Sequence, residues 1–307
     1  MSLAPMPAPP LNRFVPALVA VSERRGVTVS VDRQPNLCRW AVHTLSESGR
    51  PVTVSGPATG EPVNPSNTEL AAQIAAAVAS TGITAAQVFA VEWTTAELLR
   101  AKTALPVVDL TPPPSALAAV RNAIGRVERR LVRGLTLACD SSRGKGKSVN
   151  GCGWVLAYAN GADAVVGTYT AVSERGGIRA GELAAIRRGL QSTLNLHPVL
   201  RDGTGDLTVL TDSRAALDLL ERVRAEADTA GEDADSITEC RRILGSARGI
   251  NISFQWVRGH DGHPLNEIAD RLAVLARRNR EMDVDDFTHA RMVAGVREDA
   301  RRVCAAL

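Results

Sequence analysis

Aromatic side chains are scarce in this chain: four Trp, two Tyr and four Phe among 307 residues. Any core it builds must therefore be mostly aliphatic. Cysteine is also sparse. Cys38, Cys139, Cys152, Cys240 and Cys304 are odd in number, scattered and without a CxxC pair. That excludes a disulfide scaffold and a cysteine zinc site, and it fits a reducing, cytoplasmic compartment. No apolar run approaches about 18 residues, so no segment is expected to span a membrane. Residues 1–10 lack the charged start and apolar centre of a signal peptide, and residues 1–12 read as a loose proline-rich tail. Neither charge sign dominates: 36 Lys and Arg against 33 Asp and Glu leave a net +3. A nucleic-acid-binding surface would have to come from local clustering. With 45% hydrophobic and 22% charged residues, the composition excludes a wholly disordered chain. No feature points to a protein partner.

At about 150 residues per domain the length suggests two domains. Proline punctuates the middle at Thr111-Pro112-Pro113-Pro114-Ser115, where lost donors stop regular structure. A basic segment follows, with Arg121, Arg126, Arg129, Arg130 and Arg133 against the single Glu128. This divides the chain into an N-terminal α/β domain (13–115), a basic linker helix (116–133), a second domain (134–280) and a helical extension (281–307). An acidic stretch of small residues over 225–236 reads as an exposed loop.

The second domain has clear periodicities. Leu135–Cys139, Gly151–Tyr158 and Ala164–Tyr169 read as a three-stranded meander, with further strands at Leu207–Leu210 and Ile252–Val257. Apolar residues recur at three- and four-residue steps in Gly181–Leu194, Ser213–Ala225, Thr238–Ala247 and Asn266–Arg278, which predicts helices. A meander followed by alternating helix and strand predicts an α/β fold: a mixed five-stranded sheet flanked by helices. The N-terminal domain repeats the pattern in order. Val27–Asp32 parallels Leu135–Asp140, Cys38–Val42 parallels Cys152–Leu156, Thr68–Ala71 parallels Gly181–Ala184, and Val88–Leu99 parallels Thr208–Leu219. An internal duplication accounts for all four matches, although alanine-rich α/β segments also resemble one another.

Four acids of the second domain fall at strand ends and helix starts: Asp140, Glu182, Asp212 and Asp270. Such positions converge at one edge of a sheet of this kind. Taken singly, each acid also suits a turn, a cap or a helix first turn. Converged, they would repel one another and need positive charge among them. Oxygen-only ligands suit Mg²⁺ or Mn²⁺, and two such ions serve in-line phosphoryl transfer.

The most specific run is Trp256-Val257-Arg258-Gly259-His260, followed by Asn266-Glu267-Ile268-Ala269-Asp270. With C-D-S at Cys139–Ser141, G-E-L-A-A-I at Gly181–Ile186 and T-D-S at Thr211–Ser213, it resembles the ribonuclease HI (type I ribonuclease H) family over roughly residues 134–280. The resemblance implies a ribonuclease-H-like fold and hydrolysis of the RNA strand of RNA–DNA hybrids, leaving 5′-phosphate and 3′-hydroxyl ends. It implies Asp140, Glu182, Asp212 and Asp270 as ligands of two Mg²⁺ ions, with Mn²⁺ as an alternative. It implies His260 as a mobile-loop histidine aiding proton transfer or product release, a role suited to a group titrating near neutrality. Ser141, Ser213, Arg214 and Asn266 are candidate substrate contacts, as are Arg126, Arg129 and Arg130 of the basic helix. His263 reads as a loop stabiliser and Trp256 as a core residue.

Three departures stand out. Ile178-Arg179-Ala180-Gly181 stands where family members often carry asparagines that read 2′-hydroxyls. Arg214 replaces a common Gln. The acids Glu226, Asp228, Glu232, Asp233 and Asp235 occupy the region of a basic protrusion, so this loop is expected to point away from the hybrid. The N-terminal copy keeps Asp32 and Glu69 and has Glu92 in the third position, but lacks the histidine loop and the last acid. It reads as a degenerate, catalytically dead copy. A related nuclease or transposase of different substrate, and a non-catalytic hybrid-binding protein, stay open as alternatives.

Overall fold

The computed structural model describes residues 26–34, 37–57, 65–83, 87–144, 149–159, 164–172, 177–259 and 262–307. The tail expected over residues 1–12 lies outside them. The described residues form two compact units whose main division falls between Ile124 and Gly125, inside one continuous helix, Pro114–Leu131. Pro114 opens that helix rather than merely interrupting structure. A proline's missing N–H costs nothing at a first helical position.

The first unit contains strands β1 (Gly26–Gln34), β2 (Leu37–Leu45) and β3 (Pro51–Pro57), helix α1 (Asn67–Ser80), β4 (Gln87–Ala90), helix α2 (Trp93–Lys102), β5 (Val107–Val108) and the start of helix α3 (Pro114–Leu131). The second contains β6 (Leu135–Arg143), β7 (Val149–Ala157), β8 (Ala164–Val172), α4 (Ile178–Leu196), β9 (Leu207–Thr211), α5 (Arg214–Arg224), α6 (Ala234–Ser246), β10 (Ile252–Trp256), α7 (Pro264–Glu281) and α8 (Asp286–Ala306). The sheets run β3-β2-β1-β4-β5 and β8-β7-β6-β9-β10. Renumbered within its own unit, each sheet has the same order, 3-2-1-4-5. In both, the fourth strand lies parallel to the first and to the fifth. In the second, the first three strands are antiparallel neighbours. The two units thus share one strand order.

Alternation along β6 sends Leu135, Leu137 and Cys139 into one core with Leu183, Ile186, Leu190 and Leu194 of α4. Ala138 faces the other way, among Ile268, Ala269 and Leu272 of α7 and Val296 and Ala300 of α8. Helices therefore cover both faces, and the strands read as nearly unbroken apolar runs for that reason. The largest fully buried side chains are all Leu or Ile, as the aromatic-poor composition requires.

On the α7 side the helix backbone nearly touches β7. A Cβ at Gly153 would lie 2.3 Å from the Ala269 carbonyl oxygen, and one at Gly151 would lie 2.2 Å from that of Ala273. Only residues without a side chain permit this approach. In the first unit, Val27, Val29 and Val31 pack with Leu70, Ile74 and Val78 of α1, while Ala41 meets Val120 and Ala123 of α3 on the opposite face.

Candidate active site

Strand β6 runs three residues beyond Asp140, pairing Asp140 with Gly153 of β7. Its parallel pairing with β9 stops at Ala138 and Leu210. Asp140 is therefore not the strand's last residue. It stands where β6 outruns β9, at the open edge just beyond the parallel pair. Asp212 follows the last residue of β9 and precedes Ser213, which caps α5 by accepting the Ala216 N–H at 3.3 Å. Helix α4 begins at Ile178, so Glu182 lies in its second turn rather than opening it. Asp270 is nearly two turns into α7.

Asp140, Glu182 and Asp212 each offer an oxygen, and these atoms lie within 4.8 Å of one another. They form the one such group of acids, histidines or cysteines among the described residues. Asp270 lies outside this tight trio, yet its charge helps hold the Asp140 proton. The Ser141 hydroxyl donates to Glu182 Oε1 at 2.9 Å, and the Ser141 N–H donates to Asp140 Oδ1 at 2.7 Å. Glu182 Oε2 is buried with no hydrogen-bond partner among the described residues. Gly259 packs against the third acid: a Cβ there would lie 2.4 Å from Asp212 Oδ2.

Asp140 is pushed up to about 8, first by burial, then by the negative charges of Asp212 and Asp270. Burial likewise raises Glu182 well above the carboxylate range, with Asp140 adding to it. Both shifts have the sign of charges crowded without a counter-charge. An all-oxygen donor set, an orphaned buried carboxylate oxygen and mutual repulsion together fit a hard divalent cation.

Comparison with known proteins decides the family. The RNase H family model matches residues 133–278. A ribonuclease H of Rippkaea orientalis (strain PCC 8801 / RF-1) is 30% identical over 156 residues, covering 48% of this chain and 86% of that protein. This chain belongs to the ribonuclease H family. A ribonuclease H of Anaeromyxobacter dehalogenans (strain 2CP-C) is 33% identical over 98 residues, 30% of this chain and 51% of that protein. The chain spans about half the length of the curated relatives it matches first. A solved RNase H1 from Halobacterium salinarum NRC-1 shares 21% identity over 47% of this chain and 98% of its own, with a TM-score of 0.38.

In the ribonuclease H unit the remaining sequence-predicted residues fall as follows. His260 lies outside the described residues. Asn266 is buried in α7 with its side-chain oxygen unpartnered among the described residues. His263 precedes α7 and makes no side-chain cap bond. Arg214 lies over the Trp256 ring, 3.8 Å from its centroid. Trp256 is not a core residue: it is 39% exposed and donates from Nε1 to the Asp212 carbonyl at 3.0 Å. The strand-end position explains this, since β10 is an edge strand and Trp256 is its last residue.

Two residues of the acidic stretch are anchored by arginines of α4 and α5. Glu232 pairs with Arg179 and Arg222, and Asp233 lies 3.1 Å from Arg179. Asp233 also caps α6, accepting the Ser236 N–H at 2.8 Å, which starts that helix four residues before Thr238. Arg126, Arg129 and Arg130 are exposed along α3, while Val127 and Leu131 of the same helix pack into the core.

The N-terminal acids have other partners. Arg39 pairs with Asp32. Glu92 accepts from the Ser30 hydroxyl (2.7 Å), the Val31 N–H (2.9 Å) and the Thr95 hydroxyl (3.0 Å). Glu69 is exposed and closes a capping box with Ser66.

Proposed function

We propose that this protein is an endoribonuclease hydrolysing the RNA strand of RNA–DNA hybrids, leaving 5′-phosphate and 3′-hydroxyl ends. The observation that carries the reading is the trio Asp140, Glu182 and Asp212, converged and largely buried, in a chain of the ribonuclease H family. These three, with Asp270, would hold two Mg²⁺ ions, with Mn²⁺ as a substitute. Bound there, the ions supply Lewis-acid activation of water and neutralise charge at the leaving 3′-oxygen.

The chain's own residues prepare that chemistry. Ser141 acts as a positioning residue: it fixes Glu182 Oε1 and leaves Oε2 for the cation. Gly259 leaves room for the Asp212 carboxylate. Arg214, lying over the Trp256 ring, presents a cation to a substrate phosphate. His260 carries the proton to the departing oxygen. Arg126, Arg129 and Arg130 add phosphate contacts, and Ser213 and Asn266 add further substrate contacts. The N-terminal unit contributes no catalysis, because Asp32 and Glu92 are already paired and Glu69 caps its own helix. All five cysteines are buried and none is in a disulfide, which supports a reducing, cytoplasmic setting. No helix among the described residues is long and apolar enough to cross a membrane.

Cleavage of an end-labelled RNA–DNA hybrid, beside DNA and RNA duplexes of the same sequence, tests the assignment. Mg²⁺-dependent cutting of the hybrid's RNA strand alone is the expected result. Equal cutting of the DNA duplex, or binding without cutting, would replace it with one of the alternatives above.

A further inference from the structure

A cavity of about 80 Å³ opens in the N-terminal unit between the sheet and the first turn of α3, lined by Thr28, His43, Leu45, Phe89, Ser115 and Ala116 among others. It lies by the start of β1, at the end of the sheet opposite Asp32, so it is no remnant of the carboxylate site. Its volume is several times what one water needs.

The groups facing it are hydrogen-bond donors. Pro114 opens α3, and the first intrahelical bond of that turn runs from the Leu117 N–H to the Pro113 carbonyl at 2.9 Å. The Ser115 and Ala116 N–H groups precede it and are left without an acceptor in the helix. They carry the partial positive charge of a helix N-terminus. Two side chains from the sheet face the same space. Thr28 is 2% exposed, and its hydroxyl has no hydrogen-bond partner among the described residues. His43 is 8% exposed, with Nδ1 bonded to the Thr53 hydroxyl at 2.8 Å and Nε2 without a partner among the described residues. When Thr53 donates to Nδ1, the ring proton sits on Nε2 and points at the cavity. Burial also lowers the His43 pKa, so the ring acts as a neutral donor. Both residues line the cavity, and a ligand there would complete their hydrogen bonds.

We propose that this cavity binds one phosphate group, as free inorganic phosphate or as the 5′-phosphate end of a nucleic acid. Neutral donors converge from two directions: the Thr28 hydroxyl and His43 Nε2–H from the sheet, the Ser115 and Ala116 N–H groups from the helix. A terminal phosphate presents three oxygens to such a set, and the helix end favours its charge. Leu45 and Phe89 add apolar walls, which strengthen each bond by lowering the local dielectric. A volume of about 80 Å³ suits a terminal phosphate rather than a duplex backbone.

Calorimetry on the full chain in EDTA, with inorganic phosphate as titrant, tests this without involving the carboxylate site. Saturable one-to-one binding is expected, together with a shift of the His43 ring resonances. Thr28→Val, nearly equal in volume, should weaken it about tenfold or more. Ser115→Asp should abolish it by placing a carboxylate on the same N–H groups, a substitution the helix dipole favours, so the fold is retained. A 5′-phosphorylated single-stranded oligonucleotide compared with its 5′-hydroxyl form separates the two sources. Preferential binding of the phosphorylated form assigns the site to nucleic-acid ends, and equal binding of both assigns it to free phosphate. No saturable binding at 10 mM phosphate, an unmoved His43, or equal affinity in both variants would overturn the proposal.

Discussion

Gly153→Ala examines the link between packing and the site. Gly153 is the register partner of Asp140 on β7, and its missing side chain admits the backbone of α7. The new methyl would meet the Ala269 oxygen at 2.3 Å, the Ala273 nitrogen at 2.5 Å and the Leu272 Cβ at 2.7 Å. Two of these are backbone atoms, so no rotamer change relieves the contact. Restoring ordinary separation requires α7 to retreat by about 1 Å, and Asp270, the next residue after Ala269, retreats with it. Overpacking of this kind costs about 1–3 kcal/mol, and rigid backbone neighbours place this case at the upper end. That corresponds to a fall of roughly 5–10 °C in Tm for a unit of this size. A displacement of about 1 Å in a catalytic constellation costs on the order of 10²-fold in rate. Urea unfolding measures the first effect, and single-turnover hybrid cleavage at a temperature where the variant is fully folded measures the second. Unchanged stability would refute the packing argument. Lost stability with wild-type turnover would refute the claim that the α7 approach sets Asp270.

Four further outcomes are expected. Gly259→Ala should push the Asp212 carboxylate aside, raising the Mg²⁺ concentration needed for half-maximal cleavage with little change in stability; an unaltered Mg²⁺ requirement counts against it. In EDTA, stability should fall as pH rises from about 4 to about 8. An unfolded Asp ionises near 4, whereas folded Asp140 keeps its proton to about 8, so the native state binds more protons across that window and loses stability as they leave. Added Mg²⁺ should raise Tm more at pH 8 than at pH 5, because binding displaces those protons; equal increments at both would contradict this. Replacing Arg126, Arg129 and Arg130 with Ala should flatten the salt dependence of hybrid affinity by up to about 2–3 in slope, and an unchanged slope removes α3 from the binding surface.

The second unit was largely legible because its signals are local. Strand alternation in Leu135–Cys139 and helical spacing in Leu183, Ile186, Leu190 and Leu194 report burial directly, and the observed elements include them. Of the three convergent acids only Asp212 stands where its strand ends; Asp140 lies within β6 and Glu182 in the second turn of α4. What was not legible depends on partners distant in sequence. The bond from Ser141 to Glu182 spans 41 residues, and the Arg179 pairing with Glu232 and Asp233 spans more than fifty. Nothing near Trp256 announced that its strand lies at a sheet edge. One signal was present and unread: Gly151 and Gly153, two apart on one face of β7, mark a strand that a helix backbone approaches closely. In the N-terminal unit the Arg39 ion pair with Asp32 and the Ser30 and Thr95 hydrogen bonds to Glu92 emerge only in three dimensions.

The most direct measurement is the Mg²⁺-dependent cleavage rate of an RNA–DNA hybrid by Asp140→Asn beside the parent protein. The amide keeps the volume and removes the charge at the centre of the trio. Cleavage should disappear while the thermal unfolding transition is kept, and in EDTA the variant should be the more stable of the two at pH 8, since the repulsion is relieved. Near-parental turnover by a folded Asp140→Asn protein would contradict the assignment of this site.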